Sequence, residues 1–370
     1  MTGLPPLPAR EGLGEGMVAA LAGMPDPAGA EFTTRFEHDL ASTFSSREAV
    51  AVSSGTTALH AALSAIGIGP GDEVLVPALT VVMTAAPVVL LGATPVFVDS
   101  DPGTLDLDYA DAAAKVTART KAIVPVHLWG RMGDPAKLRA FAAAQGLTII
   151  EDAAQAAGSS RADVTAGTVG AAGCFSLKDG KILWSGEGGF ILTDDSQLAA
   201  HARAFRSHWL QPPPGSRPQE RIALNGRLAE PLAALAQANL RRFPALLEYR
   251  CAQTAHLSRA LEGTRGITPL QPATDEKWNC YAPLLHIGLP HPRAFAEHLA
   301  QQGVPNSTGS FTLVPCDTRP MFTSPDRAPC RGAAQILDRT LALVLTERDT
   351  VAVLDRYAAV ITWEAAAWCT

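Results

Sequence analysis

The chain is 370 residues long, 47% hydrophobic and 18% charged, with a formal net charge of −6. That length suggests two domains or three, the apolar content excludes a disordered chain, and an acidic balance without a basic cluster disfavours nucleic acid as a partner. The six cysteines (Cys174, Cys251, Cys280, Cys316, Cys330, Cys369) include no CxxC pair, which argues against a zinc knuckle or a disulfide framework, gives no metal site, and fits reduced thiols in a cytoplasmic setting.

Residues 1–17 carry neither a basic head nor an apolar run, so no signal peptide is expected. They read as a Pro/Gly-rich arm, flexible or draped on the body. Residues 48–53 read as a strand and 56–66 (TTALHAALSAI) as a helix. A strand over 73–76, a helix over 81–91 kinked at Pro87, and a strand over 95–99 follow. The span 74–98 has no charged residue and is long enough to cross a membrane. Pro77, Pro87, Pro95 and Gly92 interrupt it, and a buried strand, helix and strand account for it better, so no membrane is expected as a partner. A strand over 121–126, a helix over 135–145 and a strand over 147–150 continue the alternation. It predicts an α/β fold with a mostly parallel sheet and helices on both faces. Near-continuous Val, Ile and Leu in the strands agrees with a sheet covered on both sides. Functional residues are then expected just past the carboxyl ends of strands. LQPPPGSRP at 210–218 cannot continue a helix and reads as an exposed loop. Helices over 228–240 and 245–261 follow, the second a bridge to a further domain. Beyond it come a strand over 282–287 and helical patterns over 292–302 and 333–345.

Three segments carry chemistry. Ser53-Ser54-Gly55-Thr56-Thr57 is a strand end running into a helix start, either a simple Ser/Thr cap or a turn that favours an anion such as phosphate. Glu151-Asp152-Ala153-Ala154-Gln155 puts two acids directly after a strand. Asp152 there is a helix cap, or a carboxylate that holds a pyridinium nitrogen protonated. Ser176-Leu177-Lys178-Asp179-Gly180-Lys181, followed by Gly186-Glu187-Gly188-Gly189, is a polar turn with two lysines. They are solvated loop residues, or one of them forms a Schiff base with a carbonyl.

In order and spacing, SGTTAL, GDEVLVPALT, GATPVFVDSD, TKAIVPVHLWG, IIEDAAQAAG, CFSLKDGK, SGEGG and ALNGRLAEPLAALAQANL resemble the pyridoxal-phosphate sugar aminotransferases of the DegT/StrS type. The resemblance runs from about Phe36 to Arg242 and continues weakly to the C-terminus. It implies the aspartate-aminotransferase-like fold type I, with a large cofactor-binding domain (1–245) and a smaller C-terminal α+β domain (246–370). It further implies that Lys181, five positions after Ser176, is the Schiff-base lysine, with Lys178 off that register. Asp152 matches the residue that pairs with the cofactor's pyridine nitrogen, and Gln155 the contact to the ring's phenolic oxygen. Gly55, Thr56 and Ser176 match phosphate ligands. Asn225 matches an asparagine lent across a dimer interface, which implies a homodimer with shared active sites.

The departures are informative. Val81 stands where the family usually carries an aromatic that stacks on the ring, and Trp184 where a small or hydroxylated residue is common. The family's C-terminal His-Tyr segment is not recognisable in GVPNSTGSFTLVPCDTRPMF. Because Lys181 is a lysine, the dehydratase branch, which bears histidine there, is disfavoured. The expected activity is transfer of an amino group from glutamate or glutamine to a keto-sugar or keto-cyclitol in secondary-metabolite biosynthesis. The alternative is a same-fold pyridoxal-phosphate enzyme performing elimination, replacement or cyclisation on an amino acid-like substrate. His127, in HLWG, follows a strand end and is either a site residue or a structural histidine.

Overall fold

The computed structural model describes residues 3–7, 14, 17–18, 22, 31–307, 313–322 and 328–368. The N-terminal arm and the divergent segment 303–322 therefore lie partly outside the described residues, as does Cys369. Of the arm, Leu4 and Leu7 pack against two different hydrophobic clusters of the body.

Helix α1 (Glu31–Thr43) buries Phe36 and Leu40. Then come β1 (Glu48–Val52), α2 (Gly55–Ala65), β2 (Glu73–Pro77), α3 (Val82–Leu90), β3 (Thr94–Val98), α4 (Tyr109–Lys115), β4 (Thr120–Ile123), α5 (Pro135–Gln145) and β5 (Thr148–Asp152). The charge-free span is thus β2, α3 and β3. Every residue of β2 is buried, and among the described residues no helix is long and apolar enough to cross a membrane. Two short strands, β6 (Ser160–Arg161) and β7 (Val164–Thr165), precede β8 (Ala172–Ser176), β9 (Gly189–Thr193) and helix α6 (Ser196–Arg206).

The large sheet has seven strands in the order β1-β9-β8-β5-β4-β2-β3. β9 is antiparallel to both its neighbours, and the other pairings are parallel. The carboxyl ends of β1, β5 and β8 therefore share one edge, where β9 begins. Val52 and Ser176 both stand opposite Gly189. A side chain at Gly189 would meet the Ser54 carbonyl carbon at 2.5 Å and the Phe175 carbonyl oxygen at 2.6 Å. Only glycine lets these strand ends close on one another.

Helix α7 (Glu230–Ala260) is one helix of 31 residues, where the sequence suggests two with a break near 240–245. Pro244 removes one amide, yet Leu240, Phe243, Leu246 and Tyr249 are all buried on its inner stripe. Packing on both sides of the proline outweighs the roughly 3 kcal/mol that an interior proline costs. At its other end, Glu230 accepts the amides of Phe32 and Thr33 at 2.7 and 3.1 Å, which caps α1.

The C-terminal part holds β10 (Ile267–Pro269), β11 (Glu276–Lys277), β12 (Leu284–Ile287), α8 (Pro292–Gln301), β13 (Asn306–Ser307), α9 (Arg331–Arg339), β14 (Thr340–Leu343) and α10 (Val351–Ala367). β10-β12-β14-β13 form a second, antiparallel sheet. Leu257, Leu285, Phe295, Leu341 and Ile361 belong to its core. The helical pattern read over 333–345 stops at Arg339. TLAL beyond it is fully buried and pairs on both edges, and a short apolar run gives no period by which to tell strand from helix.

Candidate active site

The edge where the strands end assembles three groups. The first is the start of α2. Ser54 caps it, its Oγ accepting the Thr57 amide at 3.1 Å. A helix start leaves the Gly55 and Thr56 amides without intrahelical acceptors. Ser53 is held by its amide, which donates to the Gly226 carbonyl at 2.7 Å. A Cβ on Gly55 would lie 3.0 Å from Cβ of Ser176, so the helix start and the Ser176 hydroxyl are pressed together. Two unused amides at the positive end of a helix beside a hydroxyl make a nest for an anion.

The second group is the pair of acids ending β5. Successive residues of a strand face opposite sides, and here that separates two carboxylates by role. Glu151 is wholly buried, and its oxygens accept the amides of Gly167 (2.9 Å), Val169 (2.6 Å) and Gly170 (3.1 Å). Its Oε2 also lies 2.8 Å from Nε2 of His127, so His127 is a structural histidine on the far face. Asp152, 5% exposed, accepts the Thr84 hydroxyl at 2.6 Å and the Ala154 amide at 3.1 Å. A carboxylate has about four acceptor positions, so it keeps capacity for a further N–H. Cys174, opposite it in the β5–β8 pairing, is pushed well above the usual thiol range, first by burial and then by the charges of Asp152 and Glu151. It stays a neutral thiol.

Thr84 Oγ1 is itself 2.7 Å from Thr80 Oγ1, so Thr84 on α3, steadied by Thr80 just before the helix, aims the Asp152 carboxylate. Thr84→Val keeps the shape and removes that bond. We expect a loss of about 1–2 kcal/mol in stability and a fall in kcat of roughly tenfold, since a 1.4 kcal/mol loss in positioning is tenfold in rate. Full kcat with a lowered thermal midpoint would make Thr84 merely structural.

The third group surrounds Lys181. Gln155 Oε1 accepts the Trp129 amide at 2.6 Å, which turns its NH2 outward to donate. Trp129 adopts φ 59, a conformation that a bulky residue holds only when its surroundings impose it. Its carbonyl takes the Trp278 indole N–H at 2.9 Å. Asn279 Nδ2 binds the Gln155 carbonyl at 2.8 Å, and Asn279 Oδ1 takes the Tyr281 amide at 3.0 Å. The Tyr281 ring centroid lies 5.0 Å from Nζ of Lys181, a cation–π contact. Segment 279–281 thus ties Lys181 to Gln155, and no direct bond joins Lys181 to Asp152 among the described residues. Lys181, Trp184, Arg250, Tyr281 and Glu347 line a cavity of about 650 Å³. The Trp184 indole in this lining donates to Glu347 at 3.2 Å.

Among the residues expected from the sequence, Gly55, Thr56 and Ser176 come together, Asp152 and Gln155 stand along the same edge, and Lys181 joins through Tyr281. Lys178, exposed on the same turn, donates its amide to Ser176 Oγ at 3.3 Å and pairs through its backbone with Gly186. Val81 precedes α3 and packs on the core. Asn225 is exposed, paired through its backbone with Ser207. Sequence reading missed Thr84, Asn279, Tyr281 and Arg250. Arg250 alone left a trace, as a charge on the apolar stripe of a helix. An anion nest, a buried carboxylate with spare acceptor capacity, an outward amide and a lysine beside a cavity are the donor set that pyridoxal phosphate needs, and the residues fit it.

The chain matches the DegT/DnrJ/EryC1/StrS aminotransferase family over residues 27–360. It is 46% identical over 181 residues to GDP-perosamine synthase of Caulobacter vibrioides, a match spanning about half of each chain (49% and 49%). It is 35% identical over 301 residues to the pleiotropic regulatory protein of Geobacillus stearothermophilus, covering 80% of this chain and 78% of that protein. Among solved structures it resembles DesI, crystallised in the presence of its TDP-sugar product, with TM-score 0.88, 29% identity and coverage of 99% and 93%. The large sheet with its one reversed strand is that of the fold type I enzymes. The chain therefore belongs to the DegT/DnrJ/EryC1/StrS aminotransferase family, whose enzymes depend on pyridoxal phosphate.

Proposed function

We propose that this protein moves an amino group from glutamate or glutamine to a keto-sugar carried on a nucleotide, as in the making of secondary metabolites. The observation that carries it is Lys181, the one lysine of its turn that faces the cavity and Tyr281. Bound pyridoxal phosphate supplies an electron sink for the carbon that loses its proton. The Gly55 and Thr56 amides and the Ser176 hydroxyl hold its phosphate. Asp152, aimed by Thr84, holds a proton on the ring nitrogen, and Gln155 donates to the ring oxygen. Lys181 would anchor the cofactor and, once released, would take the proton from the donor's α carbon and, in the second half of the reaction, deliver a proton to the acceptor carbon that gains the amine. A nucleotide-linked acceptor is supported by the names of GDP-perosamine synthase and DesI's TDP-sugar product.

A homodimer with shared sites belongs to the same reading. Asn225 is exposed beside Ile222, 97% exposed, and Leu224, apolar side chains that a second copy would cover. Residues 1–245 and 246–370 form its two parts, with α7 crossing between them. The described cysteines are free, which supports a cytoplasmic setting.

Purified enzyme loaded with cofactor, given glutamate or glutamine and a panel of nucleotide-linked keto-sugars, should yield an amino sugar and the matching keto acid in equal amounts. Ammonia and a keto acid from the donor alone, with every ketone untouched, would sink the proposal.

A further inference from the structure

Arg250, on α7, is 7% exposed and lines the cavity beside Lys181. Its Nη1 has no hydrogen-bond partner, and no ion pair involves this side chain among the described residues. The nearby acids are engaged elsewhere. Glu347 takes Arg242 at 2.9 Å and Trp184 at 3.2 Å. The Asp349 carboxylate takes the Thr346 hydroxyl at 2.9 Å and the Tyr357 hydroxyl at 3.3 Å. Burial pulls the guanidinium below its ordinary range, with Tyr281 and the two acids opposing. A buried cation without a partner is costly, and a cost kept beside a cavity marks a place for a ligand anion.

We propose that Arg250 receives the carboxylate of the amino donor, a reading that rests on the aminotransferase activity above. The donor's carboxylate is one bond from the carbon that Lys181 deprotonates, so its cation must stand close to Lys181. Lys181 faces Tyr281, and all three side chains line the one cavity. A keto-sugar has hydroxyls next to its reacting carbon and any phosphate several bonds away. The planar guanidinium fork fits a carboxylate in two hydrogen bonds, which lysine cannot reproduce.

The test uses glutarate, a dicarboxylate with no amino group, titrated calorimetrically into the holoenzyme and into R250Q and R250K. We expect R250Q to bind it roughly 10- to 100-fold more weakly and R250K to fall between. The donor KM should rise by a similar factor, the acceptor KM should stay put, and the thermal midpoint of R250Q should hold or rise, since an unpaired buried charge is gone. Equal glutarate affinity in wild type and R250Q overturns the proposal, as does a wild type that does not bind glutarate. A rise in acceptor KM with donor KM unchanged also overturns it, and gives Arg250 to the acceptor's phosphates. Glutarate binding by a wild type that transfers no amino group would count against the activity and leave Arg250 in place.

Discussion

Lys181→Ala should fold with an unchanged thermal midpoint and lose amino transfer by at least about 1,000-fold, the scale of removing a general base that also anchors the reacting group. Lys178→Ala, three residues away in the same turn, should keep most of the activity. The contrast matters because the two lysines are equivalent in the local sequence. Nζ of Lys181 faces Tyr281 and the cavity, whereas Lys178 is exposed. Initial rates of keto acid formation from the donor check both variants. Comparable rates in Lys181→Ala and wild type would end the assignment of Lys181 as the catalytic residue.

Glu151→Ala should be the most damaging single change to stability, about 3–5 kcal/mol. It strips three backbone amides and His127 of their acceptor in a site with no exposure. Those amides belong to the 167–170 turn, where a Cβ on Gly170 would meet the Ile149 carbonyl at 2.4 Å, so the turn cannot shift far to find new partners. Thermal melting of the variant is the measurement. A midpoint within a degree or two of wild type would mean that water replaces the carboxylate, and that the cluster holds nothing.

Much of this was legible in the residues. The alternation of strand and helix from Glu48 to Asp152 follows from period and punctuation, and the parallel sheet follows from the alternation. The glycines at 55 and 189 and the acids at 151 and 152 announce a strand edge. Other features depend on contacts between distant residues, which no local pattern carries. Pro244 reads as a breaker because the rule is local, while the packing that overrides it comes from both ends of α7. TLAL at 340–343 is a strand because β12 and β13 flank it, and neither is nearby in sequence. Tyr281 and Asn279 sit in WNCYAP, which has no motif, yet they join Lys181 to Gln155 from far along the chain, with Asn279 124 residues from Gln155. Which of two adjacent acids faces the site is a matter of strand phase, and only the partners of each side chain settle it.

That phase has a consequence for how this chain can change. Asp152 and Glu151 differ by one methylene, so substitutions around them leave the division of labour intact. A single residue inserted or deleted within β5 turns the strand over. It would bring the acid that now supports the 167–170 turn to the reactive edge and bury the other. Among descendants of this chain, β5 should therefore drift in composition but not in length.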